Sequence, residues 1–275
     1  MPAPGIAGRG ALTVALSFYT VYAVGPMIWL AMMSLRTTQE INLDHYGLPQ
    51  VLHWWKFQAA WVNSNYGTYF WNSVWVVVAS VTAVTLIGAM AAYCLARYRF
   101  PGNRAVLLAI FSSIILPPQI TIISLFQVMV EYRLFNTLTG LILVYIGTQL
   151  PLTVYLLESF FSRIPQDLFD AAKIDGCSDL EMFRRIGVPI GAPAIVTTVI
   201  LNFILLWNEF LYAVVLITDD GNRTLPLGIQ KFIGDQFSDI GMVATGAMIS
   251  IVPVILLYFV FSERIIQGMT AGAIK

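Results

Sequence analysis

The chain has 275 residues, of which 58% are hydrophobic and only 11% charged, with a formal net charge of +0. A water-soluble domain carries roughly a quarter charged residues, so this composition excludes one and describes a polytopic membrane protein. With no excess of positive charge and no long basic run, the composition argues against a nucleic-acid partner as well.

Residues 1–9, with Pro2, Pro4 and Arg9, read as a short tail. A first apolar run follows from about Ala11 to Leu35, long enough to cross a bilayer. A secretory signal would have a shorter apolar core and a small-residue cleavage site, so an uncleaved span is the better reading. Arg36 to Tyr69 is a polar, aromatic connector whose Trp54, Trp55, Trp61 and Tyr66 suit a membrane interface. A second span runs from about Phe70 to Ala96, with Gly88 and Ala92 as a small-xxx-small pair suited to close helix packing. Arg97, Arg99 and Arg104 cluster ahead of a third span, about Ala105 to Val130. Pro117-Pro118-Gln119 interrupts it roughly at mid-membrane depth, at about 1.5 Å of rise per residue. Two readings stay open there, a simple kink and a break lining a cavity, the second favoured by the polar Gln119.

The fourth span, about Leu138 to Phe161, contains Pro151 and has Glu158 near one end. The fifth runs from about Ala192 to Ile217 and the sixth from about Met242 to Phe261, separated by a charged, Gly-containing loop from Thr218 to Gly241. Six spans make one all-α transmembrane domain over residues 1–275 and put both termini on one side. Ten Lys and Arg residues fall on that side (Arg9, Arg97, Arg99, Arg104, Arg163, Lys173, Arg184, Arg185, Arg264 and Lys275). Five fall opposite, Arg36, Lys56, Arg133, Arg223 and Lys231. The excess predicts cytoplasmic termini.

The longest polar interruption whose charges do not look like loop filler is residues 162–190, which by the same count is cytoplasmic. Pro165 suits the first turn of a helix and Gly176 a left-handed residue ending it. Ser178 and Glu181 have the spacing of a capping box, which starts a second helix at Asp179. That helix is expected to pair Glu181 with Arg185 and to stop before Pro189. Ala171 and Ala172 offer a small-residue face that another protein's backbone could approach.

No lysine in the chain is followed by Ser or Thr, so no G-x-x-x-x-G-K-[ST] phosphate loop exists, and any driving ATP binds elsewhere. No G-x-S-x-G or H-E-x-x-H motif is present, and no catalytic residue is assigned. Cys94 and Cys177 have no Cys or His at ligand spacing, and His45 and His53 read as surface residues, so no metal site is expected. Within the spans the notable ionisable group is Glu209, in Trp207-Asn208-Glu209-Phe210, with Asn202 about two turns earlier on the same helix face. Such a carboxylate either lines a translocation path or glues helices through a hydrogen bond, and both readings stay open. An aromatic ring beside Asn and Glu suits a sugar.

The loop Asp170-Ala171-Ala172, Asp175-Gly176, Phe183, Ile186 and Pro189 resembles the EAA loop of permease subunits of binding-protein-dependent ABC importers. The match extends over nearly the whole chain and is similar to the shorter, six-span subunit of the maltose-transporter type. It includes Asn72-Ser73, Gly88 to Tyr93 with Arg97 and Phe100-Pro101-Gly102, Pro117-Pro118, Trp207 to Phe210 and the ending Gly268 to Lys275. The resemblance implies a type I ABC importer permease fold in a bacterial or archaeal inner membrane, importing carbohydrate by alternating access. It implies that the eight loop residues couple to a separate ATPase subunit, with Asp170 where the family usually has Glu. It further implies two ATPase subunits holding ATP-Mg, a second and different permease subunit, an extracytoplasmic sugar-binding protein, and no cofactor on this chain. Gln119, Asn202, Trp207, Asn208 and Glu209 are then candidates for the substrate path. Two other classes compete: an ion-gradient-driven secondary transporter using Glu209, and a non-transporting scaffold docked through Asp170–Ile186.

Overall fold

The computed structural model describes residues 6–233 and 239–273, and the regular elements among them are helical. Helix α1 (Ile6–Ser34) covers the first apolar run, α2 (Thr38–Leu43) and α3 (Trp55–Gln58) occupy the connector, and α4 (Tyr66–Arg97) is the second span. The third span is two helices, α5 (Asn103–Ile115) and α6 (Pro118–Glu131). Helix α7 (Leu138–Phe161) is followed by α8 (Gln166–Ile174) and α9 (Asp179–Met182), which leads into α10 (Val188–Trp207). Then come α11 (Leu211–Leu216), α12 (Leu225–Gly228) and α13 (Ile240–Ala273). Five helical segments are long and apolar enough to cross a membrane, and the α5–α6 pair makes six when read as one span.

One open choice about element boundaries is decided and two expectations are corrected, each for a local reason. The third span is broken and not merely kinked, since α5 and α6 meet at 101°. Leu116 and Pro117 are both extended (ψ 117° and 138°), because a residue before proline is driven out of the helical region. Pro118 then opens α6, where its missing N–H has no partner to lose. The second loop helix does not stop before Pro189, because residues 179–207 form one continuous helical segment. A π turn at Phe183–Gly187 lies between α9 and α10, and its wider hydrogen-bond ring accommodates the missing proline donor. The fifth span ends early, at Trp207, and resumes as α11 after a three-residue break. The side chain of Asn208 donates to the Ile204 carbonyl (2.8 Å) and so competes with the helix it would otherwise continue.

The chain divides into two compact units, residues 1–67 with 228–252 and residues 68–227 with 253–275. In the first, Lys56 is 2% exposed and its Nζ donates to the carbonyls of Ser34, Arg36 and Gly241 at 3.0, 2.6 and 2.8 Å. Ser34 ends α1 and Arg36 follows it, so their carbonyls have no intrahelical donor, while the Gly241 carbonyl in the first turn of α13 also accepts from the Thr245 hydroxyl (2.9 Å). Burial pushes the Lys56 ammonium down to about 8, against the opposing pull of Asp239 and Glu40. Tyr66 stacks on Phe232 (5.2 Å) and packs so closely on α13 that a side chain at Gly246 would meet its ring.

In the second unit α7 is central and packs against α5 and α10. A Cβ at Gly88 would lie 2.5 Å from Thr153, and Ala92 is fully buried, so the small-residue pair of α4 makes the close approach its spacing predicts. Gly191 does the same for α10 against Phe161 (2.5 Å). The segment 218–225 is tied down by backbone and side-chain bonds. Asn136 Oδ1 accepts from the Thr218 and Asp219 amides at 3.0 and 2.9 Å. Asn72 donates to the Gly221 and Arg223 carbonyls, and the Ser73 hydroxyl accepts from the Leu225 amide (2.7 Å).

Candidate functional site

Residues 162–190 fold as helix, turn, helix. Pro165 stands just ahead of α8, extended at ψ 135°. At the far end the Cys177 amide donates to Ala172 O (3.0 Å) and the Gly176 amide to Lys173 O (3.2 Å). These are the two bonds of a Schellman motif, and they require the left-handed φ of +82° at Gly176. A Cβ there would meet nothing within 4 Å, so Gly176 is needed for its backbone and not for space. The capping box forms as spaced: the Ser178 amide donates to Glu181 Oε2 (3.0 Å) and the Glu181 amide to Ser178 Oγ (3.4 Å). Glu181 also pairs with Arg185 at 3.2 Å.

The two faces of this element differ. Phe169, Ala172 and Met182 are buried in one cluster with Tyr93, Leu157, Phe161 and Ile164, and Phe183 and Ile186 pack partly against it. Arg97 anchors the start of α8, its guanidinium 3.7 Å over the Phe169 ring and its Nη2 donating to the Gln166 carbonyl (3.2 Å). The shared small-residue face is corrected accordingly. Ala171 is exposed but Ala172 points inward at 8% exposure, as two successive positions about 100° apart on a helix must. Asp170, Ala171, Asp175 and Gly176 lie on the outer surface, as does Pro189. Among them stand Leu168, Ile174 and Leu180, which are 46%, 86% and 57% exposed.

The membrane-embedded candidates do not form one polar wall. Asn202 is 1% exposed and donates to the hydroxyl of Thr153 on α7 at 2.8 Å, so it joins two helices. Its predicted grouping with Glu209 is therefore corrected: the break at Asn208 removes the helical register that would have aligned them. Glu209 caps α11. Its Oε1 accepts from the Tyr212 amide (2.7 Å), and its Oε2 from the Tyr145 hydroxyl (2.7 Å) and the Ala213 amide (3.2 Å). Those free amides and their dipole stabilise the carboxylate, which forms no ion pair among the described residues. Trp207 is 2% exposed, stacked on Phe203 (5.5 Å, 12°) and edge-on to Phe70 (6.0 Å). Asn208 and Gln119 are exposed, Gln119 in the first turn of α6, and no hydrogen bond joins Gln119 to Glu209 among the described residues.

Sequence reasoning missed Tyr145, Thr153 and the Arg97–Phe169 contact. The first two are 64 and 49 residues from their partners, and no local pattern signals such pairs. The ending Gly268–Lys275 carries no described side chains, and residues 274 and 275 lie outside the described residues. Among the described residues no group of His, Cys, Asp and Glu could hold a metal ion.

Comparison with known proteins accounts for this combination of apolar helices and one ordered polar loop. Residues 84–269 match the family model described as "Binding-protein-dependent transport system inner membrane component". The chain is 37% identical to the diacetylchitobiose uptake system permease protein NgcG of Streptomyces coelicolor, over 94% of this chain and 87% of that one. It is 35% identical to the trehalose transport system permease protein SugB of Mycobacterium tuberculosis, over 92% and 93% of the two chains. Its fold resembles a chain in the crystal structure of a bacterial ABC transporter involved in the import of alginate, with a TM-score of 0.82 at 22% identity over 96% of this chain and 99% of that one. Since the family model spans most of the chain and these relatives align along more than nine-tenths of it, the protein belongs to the inner membrane components of binding-protein-dependent transport systems and is a multi-pass permease subunit.

Proposed function

We propose that the chain forms half of the pathway of an ATP-driven carbohydrate importer and carries no catalysis of its own. The other half is a related permease subunit, two ATPase subunits holding ATP-Mg drive it, and an extracytoplasmic binding protein delivers the sugar. The excess of basic residues supports a cytoplasmic position for both termini and for residues 162–190. The loops at 36–69 and 218–241 then face the binding protein. The relatives named for diacetylchitobiose and trehalose, with another named for arabinooligosaccharides, support a disaccharide or short oligosaccharide as substrate.

The observation that carries this reading is the outer face of α8 and α9. One side of the element is fixed in the bundle by Phe169, Ala172 and Met182, while Leu168, Ile174 and Leu180 stand exposed beside Asp170 and Asp175. Apolar side chains held out on a capped, rigid turn in the most polar loop of the chain mark a protein contact. In ATP-driven alternating access that contact transmits closure of the ATPase pair to the spans. Glu209, already satisfied by Tyr145 and two amides, has no oxygen left unpaired for a coupling ion. A mild-detergent pull-down of the tagged chain from its host tests the assembly. A cytosolic ATPase and a second permease are expected in the eluate, with sugar uptake that needs ATP and survives a collapsed proton gradient. Uptake that stops with the gradient and not with ATP depletion would overturn the reading.

A further inference from the structure

Within the first unit a cavity of about 170 Å³ opens beside the end of α2, lined by Arg36, Glu40, Leu43, Asp44, Leu48 and Gln50. Its anchor is Arg36, a charged side chain only 4% exposed. Arg36 Nη2 donates to the Glu40 and Asp44 carbonyls (2.7 and 2.6 Å), so one nitrogen caps the end of α2. The other two are unspent. Nε is buried with no hydrogen-bond partner among the described residues, and Nη1 has none either but is not sealed from solvent. No carboxylate pairs with this guanidinium among those residues. The acids on the same wall are turned to other donors. Glu40 Oε1 faces His53 Nε2 at 3.0 Å, and its Oε2 accepts from the Thr37 amide (2.9 Å). Asp44 Oδ1 accepts from the Tyr46 amide (3.1 Å), and its Oδ2 lies against Gly47, where a Cβ would meet it.

A largely desolvated guanidinium with idle N–H groups calls for an oxygen acceptor. Glu40 and Asp44 set the charge of that acceptor, since two carboxylates on one wall repel a phosphate or a third carboxylate. A neutral carbonyl fits. Its oxygen takes the Arg36 donors, and the N–H of the same amide can turn to Asp44 Oδ2. Leu43 and Leu48 on the rim, and Tyr46 between them in sequence, are strongly exposed. Apolar side chains around an arginine pocket are what the centre of a protein contact is made of. Asn42, Asp44 and His45 are exposed among them, and a bilayer would have to desolvate all three. We propose that this cavity seats a loop of the extracytoplasmic binding protein, whose backbone or Asn/Gln carbonyl accepts from Arg36 while its apolar neighbours pack on Leu43 and Leu48. The inference rests on the importer reading, which turns the 36–69 connector toward that protein.

The test replaces Leu43 with a photo-crosslinker in host cells and identifies the captured chain by mass spectrometry. A soluble extracytoplasmic protein is expected; it is then purified, assayed for sugar binding, and titrated onto the intact assembly in nanodiscs. Leu48→Trp, which fills the cavity and leaves the Arg36 cap alone, should weaken that binding at least tenfold. Arg36→Lys keeps a cation to cap α2 but has no second nitrogen for the partner, and should weaken it similarly. The ratio of native to Leu48→Trp affinity should be the same at low and high salt, whereas a carboxylate partner would make it shrink. Equal affinity for the native chain and Leu48→Trp, a ratio that shrinks with salt, or crosslinks only to lipid or to the second permease would overturn the proposal. Failure of the importer reading would show separately, as an assembly that retains no ATPase.

Discussion

At the scale of single residues, the two polar groups that look like path-lining chemistry act as fasteners. Asn202 and Thr153 share one hydrogen bond in a dry helix interface, where such pairs contribute about 0.6 kcal/mol on average. A double-mutant cycle of Asn202→Ala and Thr153→Ala, read by unfolding in detergent, should return a coupling near that value. A zero coupling energy with impaired uptake would return Asn202 to the path. Glu209 is bound more strongly, since all three of its bonds are to a charged acceptor. Tyr145→Phe removes one of them and should lower stability by about 1.5–3 kcal/mol. Glu209→Gln should be milder, because an amide oxygen still caps α11. Lys56 gives a prediction in pH. Its folded value of about 8 lies below its ordinary 10.5, so between these the folded state has released a proton that the unfolded state still holds. Stability therefore rises with pH across that window. The melting temperature of the native chain should climb relative to that of Lys56→Met from pH 8 to 10, and a constant difference would refute the assignment.

At the scale of elements, the loop at 162–190 was the most legible part of the sequence, and the reason is physical. A Schellman turn needs a glycine and a capping box needs Ser and Glu three apart, so both are written in adjacent letters. Hydropathy located the spans for the same kind of reason, since crossing a bilayer takes a run of a fixed length. The proline pair announced an interruption, but its 101° angle depends on how α5 and α6 pack, which local sequence does not encode. The break after Trp207 was missed because Asn208 and Glu209 act through the Ile204 carbonyl and through Tyr145, the latter far away in sequence. At Gly176 the open space sharpens an expectation, because the sequence allows clash or strain and the geometry leaves only strain. A β-branched residue in the left-handed region costs about 1–2 kcal/mol or more, whereas Asn adopts it readily. Gly176→Val should therefore lose ATP-driven uptake while Gly176→Asn keeps most of it. Equal loss in both variants would show that a partner's surface, and not the backbone, demands glycine there.

At the scale of the whole molecule, the proposed ATP-driven importer requires this subunit to receive free energy through a surface, and that surface has to be stiff. The 162–190 element meets this requirement. Phe169, Ala172 and Met182 tie it to the cluster that includes Tyr93 of α4 and Phe161 of α7, and the continuous segment from Asp179 to Trp207 carries it directly into a span. A push on α8 therefore moves helices and does not dissipate in a loose loop. Ile174 is the sharpest place to test this, because it is 86% exposed and contributes nothing to the bundle. Ile174→Glu should lower the melting temperature of the isolated chain only slightly, because the side chain is exposed and a carboxylate in the last turn of α8 opposes the helix dipole by about 0.3–1 kcal/mol. Burying an isoleucine against a partner is worth about 1.5–3 kcal/mol, and replacing it with a charge adds a desolvation cost on top. The variant should thus retain at least tenfold less ATPase in the pull-down and lose uptake in proportion. An Ile174→Glu chain that captures ATPase at the native level would move the transmission surface elsewhere. The short reach of Asp170 on the same outer face would then be the next position to alter.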